Sequence, residues 1–99
     1  MTRGRLFAAR RVMSLSAAEF AASIAKLGDY RTTTAGYPVF DLAPAGRVTV
    51  SFEPAPPKTL GGLLVLPQAI VTLSFEDASD AACEAFVGRF DIAFQRGGG

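Results

Sequence analysis

The amino-acid sequence predicts an α+β fold, a two-layer sandwich in which two helices cover one face of an antiparallel sheet of three to five strands. Segments 47–53 and 70–76 alternate apolar and polar residues, as half-buried strands do. Segments 17–27 and 82–93 repeat apolar residues at helical spacing. The chain has 99 residues, of which 49% are apolar and 19% charged. This length suits one domain over residues 1–99.

The first element is less well marked than the helix after it. Residues 6–15 mix apolar and arginine positions, so we expect residues 1–13 to hold a strand or a partly flexible basic segment. Ser16 and Glu19 then have the spacing of a capping box, in which the serine hydroxyl and the glutamate satisfy each other's backbone N–H groups. A helix is therefore expected over about 17–27.

Three strands are expected in the middle of the chain. Residues 36–42 form a short strand, and Pro38 indicates an edge position or a limited ladder. Segments 47–53 and 70–76 belong to an antiparallel sheet with one solvated face, and they pair with each other across a long connection. Their inward-facing residues are Val48, Val50, Phe52, Val71, Leu73 and Phe75.

The connection between these two strands is rich in proline and then in leucine. Each proline restricts its own φ and the residue before it, so residues 53–58 are expected to be extended and rigid. A loop of this length is uncommon in a compact domain unless it has a task or contains another element. We expect residues 63–66 to form a short extra strand or a flap that closes one end of the core.

The last element has two interpretations. Residues 77–80 place acidic groups where a helix dipole favours them, and apolar spacing continues to Gln95. A helix that ends at Gly88 would instead leave residues 90–95 as a strand, and the fold would be ferredoxin-like. Periodicity allows both. One internal glycine costs only about 1 kcal/mol, so we favour the long helix.

Several classes of function lack their residues. The chain has no histidine and one cysteine, Cys83. It therefore has no Ser-His or Cys-His nucleophile pair, no four-cysteine site and no internal disulfide. We expect Cys83 to be a buried structural thiol, and we expect no metal, no cofactor and no enzymatic activity. The candidate acids and bases have no spacing that specifies a site; they are Asp41, Glu53, Lys58, Glu76 and Asp91.

Nucleic-acid binding is not expected. The order of helix, three strands and helix resembles the double-stranded RNA-binding module, which holds phosphate with basic residues at the start of its second helix. Residues 77–80 are acidic there, and the formal net charge is only +1. No apolar run is long enough to span a bilayer. A single cysteine suits a reducing compartment, so we expect a cytoplasmic protein.

The chain ends in Arg96 and three glycines. This ending resembles the Arg-Gly-Gly terminus of ubiquitin-like modifiers and the Gly-Gly terminus of sulfur carriers. The resemblance covers three or four residues and implies a C-terminus activated at Gly98 and Gly99. The alternative is a flexible tail over 97–99, as chain termini often are.

The apolar segment 60–66 is the predicted interaction surface. Exposed apolar patches on soluble proteins mark partner sites or ligand grooves. We expect this segment to bind a protein partner or a second copy of the chain, helped by an exposed strand edge beside Pro38. Two alternatives remain: the side chains fill the end of the sandwich, or they form a lid over a small apolar ligand. The residues are Leu60, Leu63, Leu64, Val65 and Leu66.

Overall fold

The structure, a computed structural model, describes residues 6–62 and 64–95 and has the predicted fold class. Five antiparallel strands form one sheet in the order β1-β5-β4-β3-β2, and two helices pack on one face of it. The elements are β1 (Leu6–Met13), α1 (Ala17–Ala25), β2 (Arg31–Thr32), β3 (Pro38–Asp41), β4 (Arg47–Leu60), β5 (Leu64–Glu76) and α2 (Asp80–Ala93).

The two alternating segments pair with each other at the centre of the sheet, as predicted. Residues that lie opposite each other share a face, so the inward positions of β4 meet the inward positions of β5. Five of these six side chains are buried, and Phe52 is half-buried. The pairs are Val48–Phe75, Val50–Leu73 and Phe52–Val71.

Helix α1 begins with the predicted capping box. The Glu19 N–H donates to Ser16 Oγ at 3.2 Å, and the Ser16 N–H donates to Glu19 Oε1 at 2.8 Å. The helix ends at Ala25, two residues before the predicted end, and Lys26 caps it. Gly28 follows with a φ of 110°, which favours glycine and turns the chain toward the sheet.

The segment before α1 contains a strand, one of the two alternatives for it, and the end of the chain forms the favoured long helix. Strand β1 pairs with β5 from Leu6, opposite Glu76, to Met13, opposite Ala69. Helix α2 continues through Gly88 to Ala93, so the ferredoxin-like alternative with a strand at 90–95 is wrong. Burial explains this result, because the apolar side chains of this segment lie in the core cluster. They are Phe86, Phe90, Ala93 and Phe94.

Of the two expectations for the strand that contains Pro38, the edge position is wrong, whereas the limited ladder agrees with a strand of four residues. Strand β3 covers residues 38–41 rather than 36–42, and it is not the outermost strand. The two-residue strand β2 pairs with it, with Arg31 opposite Val39 and Thr32 opposite Pro38. A two-residue strand has too few positions to show an alternating pattern, so its sequence gives no signal.

The proline-rich connection is not a loop. Strand β4 continues through the prolines to Leu60, and β5 begins at Leu64, so the pair forms one long hairpin. An irregularity between Ala55 and Lys58 places the extra residue on β4. The bulge accommodates adjacent prolines, which donate no ladder hydrogen bond.

Phenylalanine rings join the two helices to the sheet. The Phe20 ring on α1 lies 4.8 Å from the Phe52 ring on β4 and 5.8 Å from the Phe94 ring after α2. The Phe86 ring on α2 lies 5.4 Å from the Phe40 ring on β3. Tilted aromatic pairs at these separations contribute packing energy beyond their buried area.

Truncation of the central pair tests this core. We expect Val50→Ala or Leu73→Ala to lower the free energy of unfolding by about 2–4 kcal/mol, through lost transfer energy and a residual cavity. The control is Val12→Ala, because Val12 is 67% exposed on the other face of the sheet. A loss below about 0.5 kcal/mol at Val50 or Leu73 in denaturant unfolding would contradict the assigned core face.

Gly46 lies in the turn before β4, where the backbone passes close to the residue that follows β5. Its φ is 99°, and an added Cβ would lie 2.7 Å from the Asp77 backbone oxygen. Gly36 has a similar φ of 93° but open space around it. We expect Gly36→Ala to lower the unfolding free energy by about 1 kcal/mol and Gly46→Ala by about 3 kcal/mol or more, in thermal or chemical unfolding. Equal losses would show that the close approach to Asp77 is unimportant.

Candidate functional site

The candidate site is the distal part of the β4–β5 hairpin, residues 55–60 and 64–68, which we call the arm. Strand β1 ends opposite Ala69, and β3 reaches along β4 only to Thr49. Beyond these points the two hairpin strands pair with each other and with no other strand of the described residues. The long axis of the structure, 54 Å against 25 and 22 Å, is consistent with a projecting arm.

The helix layer also ends where the arm begins. Along β5, alternate residues face the helices, and this row contains Val71, Ala69, Pro67 and Val65. Val71 and Ala69 are fully buried, whereas Pro67 is exposed and Val65 is 59% exposed. Both faces of the arm are therefore open to solvent.

An apolar strip runs along the face of the hairpin that the helices leave open. The even-numbered positions of β5 lie on this face, and Val12 of β1 joins them because it lies opposite Ile70. Leu64 is 53% exposed and Val12 is 67% exposed. Leu66 and Ile70 are half-buried. Val12 is not among the predicted interaction residues. The sequence does offer a reason to place it at the surface: it lies two residues after Arg10, and alternate residues of a strand share a face, so both would lie on the solvated face.

The two edges of the arm differ in chemistry. On β4 the arm edge carries Pro56, Pro57 and Lys58, and such residues prevent another strand from pairing. On β5 no charged residue occurs from Leu64 to Phe75, and the arm edge contains one proline, Pro67. The β5 edge of the arm is therefore the one suited to pair with another chain.

The predicted interaction residues fall on or beside this arm. Leu64 and Val65 are exposed, Leu66 is half-buried, and Leu60 ends β4 opposite Leu64. Leu63 lies outside the described residues. Leu64, Val65 and Leu66 do not belong to the buried core cluster, and a filling of the end of the sandwich would have placed them there.

The two ends of the chain bear on separate predictions. The predicted tail 97–99, with the candidate activated residues Gly98 and Gly99, lies outside the described residues, as do residues 1–5 of the predicted strand or basic segment 1–13.

Two surface clefts lie against α2 and away from the arm. One, of about 300 Å³, is lined by Lys26, Leu27, Arg89, Ile92 and Ala93. The other, of about 350 Å³, lies between residues 41–43 and α2 and shares Arg89. The Arg89 guanidinium lies 5.2 Å above the Phe86 ring. Neither cleft is lined by residues 64–66, so a lid formed by that segment has no ligand space beneath it in these two places.

Ion pairs take up several of the candidate acids and bases. Arg31 donates to both carboxylate oxygens of Asp41 at 3.0 Å. Glu76 pairs with Arg47 at 2.6 Å. Asp91 on α2 pairs with Arg11 on β1 at 3.4 Å, which joins the basic and acidic ends of the chain.

The remaining chemistry of the described residues is sparse. Among them, no three histidine, cysteine, aspartate or glutamate side chains are grouped as metal ligands would be. Cys83 is buried on α2, as expected of a structural thiol. Neither described helix combines the length and the hydropathy that crossing a membrane requires.

No protein-family model, curated protein or solved structure matches the chain.

A paired aspartate substitution tests whether the arm residues are core or surface. We expect Leu64→Asp with Val65→Asp to lower the unfolding free energy by about 1 kcal/mol or less at low protein concentration, because both side chains are already solvated. Chemical denaturation followed by circular dichroism measures this, with Leu73→Ala as the core reference. A loss as large as that of Leu73→Ala would show that these two side chains belong to the core.

Proposed function

We propose that this protein is a small, non-enzymatic interaction module that docks onto a protein chain through its arm. One observation carries the proposal: a two-stranded ribbon projects beyond both the helix layer and the neighbouring strands, with apolar side chains exposed on both faces. An isolated two-stranded hairpin is marginally stable in water. Exposed apolar side chains on such a ribbon are of the kind that a partner covers.

The distribution of charge supports the same proposal. The described ion pairs lie on the body of the domain, whereas β5 carries no charge along the arm. The centres of protein interfaces are depleted in charged residues, and main-chain pairing at a strand edge is a common way to bind a chain. The arm part of β5 combines these two properties, because it has no charged residue and has an edge that no described strand pairs with.

The competing small-molecule function has less support. A ligand pocket beneath residues 60–66 would need a concave space lined by these residues, and the two clefts described above are lined by residues of other segments. We extend the proposal to a cytoplasmic setting, because the chain has one thiol, Cys83, which is buried and needs no oxidising environment.

The test compares two variants of equal charge change. Leu64→Asp with Val65→Asp changes the arm, and Ile92→Asp with Ala81→Asp adds the same charge at exposed positions on α2. We expect the arm variant to lose the assembly that the wild type forms. Each tagged variant is expressed in its native cells, and the assembly is measured by light scattering and by the stoichiometry of co-purified chains.

The Ile92→Asp, Ala81→Asp protein should keep this assembly, since both residues lie on α2 and away from the arm. Melting temperatures confirm that every variant is folded. An arm variant that keeps every assembly of the wild type, or a wild type that forms none, would contradict the proposal.

A further inference from the structure

We infer that the cleft between the end of α1 and the end of α2 binds a small organic acid, a carboxylate that carries an apolar group. This inference goes beyond the proposed function, because the cleft lies away from the arm. Its volume of about 300 Å³ is at the lower end of the range for small-molecule sites. Its lining residues are Lys26, Leu27, Arg89, Ile92 and Ala93.

The body of the cleft is apolar. Leu27 and Ala93 are buried members of the core cluster, so they give the cleft a fixed floor. Ile92 is 72% exposed, more than any other large apolar side chain of the described residues. A ligand with an apolar group would remove part of this surface from water, which favours binding.

Two cations line the cleft, and no acidic side chain does. Neither Lys26 nor Arg89 has an ion pair within residues 6–62 and 64–95. Asp29, the acid nearest to Lys26 in the sequence, is not a lining residue. At 3.6 residues per turn, the acids of α2 lie about 140–180° around the helix from Arg89. They are Asp80, Glu84 and Asp91.

The position of Arg89 suits a carboxylate. Its guanidinium carbon lies 5.2 Å from the centre of the Phe86 ring, and stacking of this kind leaves the N–H groups at the guanidinium edge free to donate. A guanidinium can bind a carboxylate through two parallel hydrogen bonds. Arg89 also lines the larger cleft, but Asp41 is part of that lining, so charge favours the smaller cleft for an anion.

The backbone of the lining residues favours a free acid over the end of a peptide chain. The N–H groups of Lys26 and Leu27 donate to the carbonyl oxygens of Ser23 and Ile24. The other three lining residues lie within α2, where each N–H donates to the preceding turn. A peptide backbone would therefore find no main-chain donor here, whereas a free acid needs only the two cationic side chains.

The first experiment compares three probes by chemical-shift titration of the ¹⁵N-labelled protein. Phenylacetate has both the charge and the apolar group, and it should shift the amides of residues 26–27 and 89–93 at millimolar concentration. Phenylacetamide has nearly the same shape without the charge, and it should bind about tenfold or more weakly. Acetate has the charge without the ring, and it should also bind about tenfold or more weakly.

The second experiment removes the cations one at a time. Arg89→Gln should weaken phenylacetate about fivefold or more and leave phenylacetamide unchanged, because the amide does not use the charge. Lys26→Gln should act in the same direction. The control is Arg10→Gln, which removes an exposed cation from β1. A structural disturbance would instead weaken both probes and lower the melting temperature.

The arm variants separate this inference from the proposed function. The Ile92→Asp, Ala81→Asp protein places a carboxylate in the cleft, so it should lose phenylacetate and keep the assembly. The Leu64→Asp, Val65→Asp protein should keep phenylacetate and lose the assembly. Failure of one proposal therefore leaves the other to be decided by its own measurement.

Four outcomes would overturn the inference. They are the absence of these shifts with millimolar phenylacetate, equal binding of phenylacetamide, an acid-to-amide preference that survives both Arg89→Gln and Lys26→Gln, and tighter binding of N-acetyl-glycyl-phenylalanine than of phenylacetate. The last outcome would assign the cleft to the carboxyl end of a peptide rather than to a free acid. A preference for phenylacetate that either substitution reduces, with Arg10→Gln unchanged, supports the inference.

Discussion

The pairing of β4 with β5 is the interaction on which the rest of the structure depends. Every other element except β2, which pairs with β3, attaches to part of this hairpin: β1 to the outer edge of β5, β3 to that of β4, and both helices to one face. The hairpin strands have 14 and 13 residues, whereas β1 has 8 and β3 has 4. Because the partners are shorter than the strands that they cover, part of the hairpin lies outside the domain.

The short length of helix α1 also limits how much of the hairpin the helix layer covers. Helix α1 has 9 residues, so it covers only about 14 Å of a strand. Bulky rings extend the cover, since Phe52 at the start of the uncovered part is half-buried against Phe20. No comparable side chain follows on β4, where the next residues of that face are prolines. The core therefore ends at the level of Ala69.

Much of the fold could be predicted from local patterns. The alternation over 47–53 and 70–76, the Ser16–Glu19 capping box and the spacing through Phe86 and Phe90 each reflect one buried face. The errors arose where a pattern was too short or was overridden. Strand β2 has two residues, and the prolines of β4 are poor strand formers that a bulge and a long partner strand accommodate.

The site was only partly predictable, for a related reason. An apolar run such as 60–66 indicates burial somewhere, but periodicity does not say whether the covering surface belongs to the same chain. That answer depends on where β1 stops, which is a long-range property of register. Val12 joins the strip only because it lies opposite Ile70.

The unequal edges of the arm have a consequence for how any stack of strands could grow. Amyloid-like polymers extend because each added strand presents a fresh edge to the next one. When the strand that joins β5 is the β5 strand of another copy, the outer edges of the pair are the two β4 strands, whose prolines and bulge oppose a further addition. Growth of such a stack along the hydrogen-bonding direction would then stop after one addition.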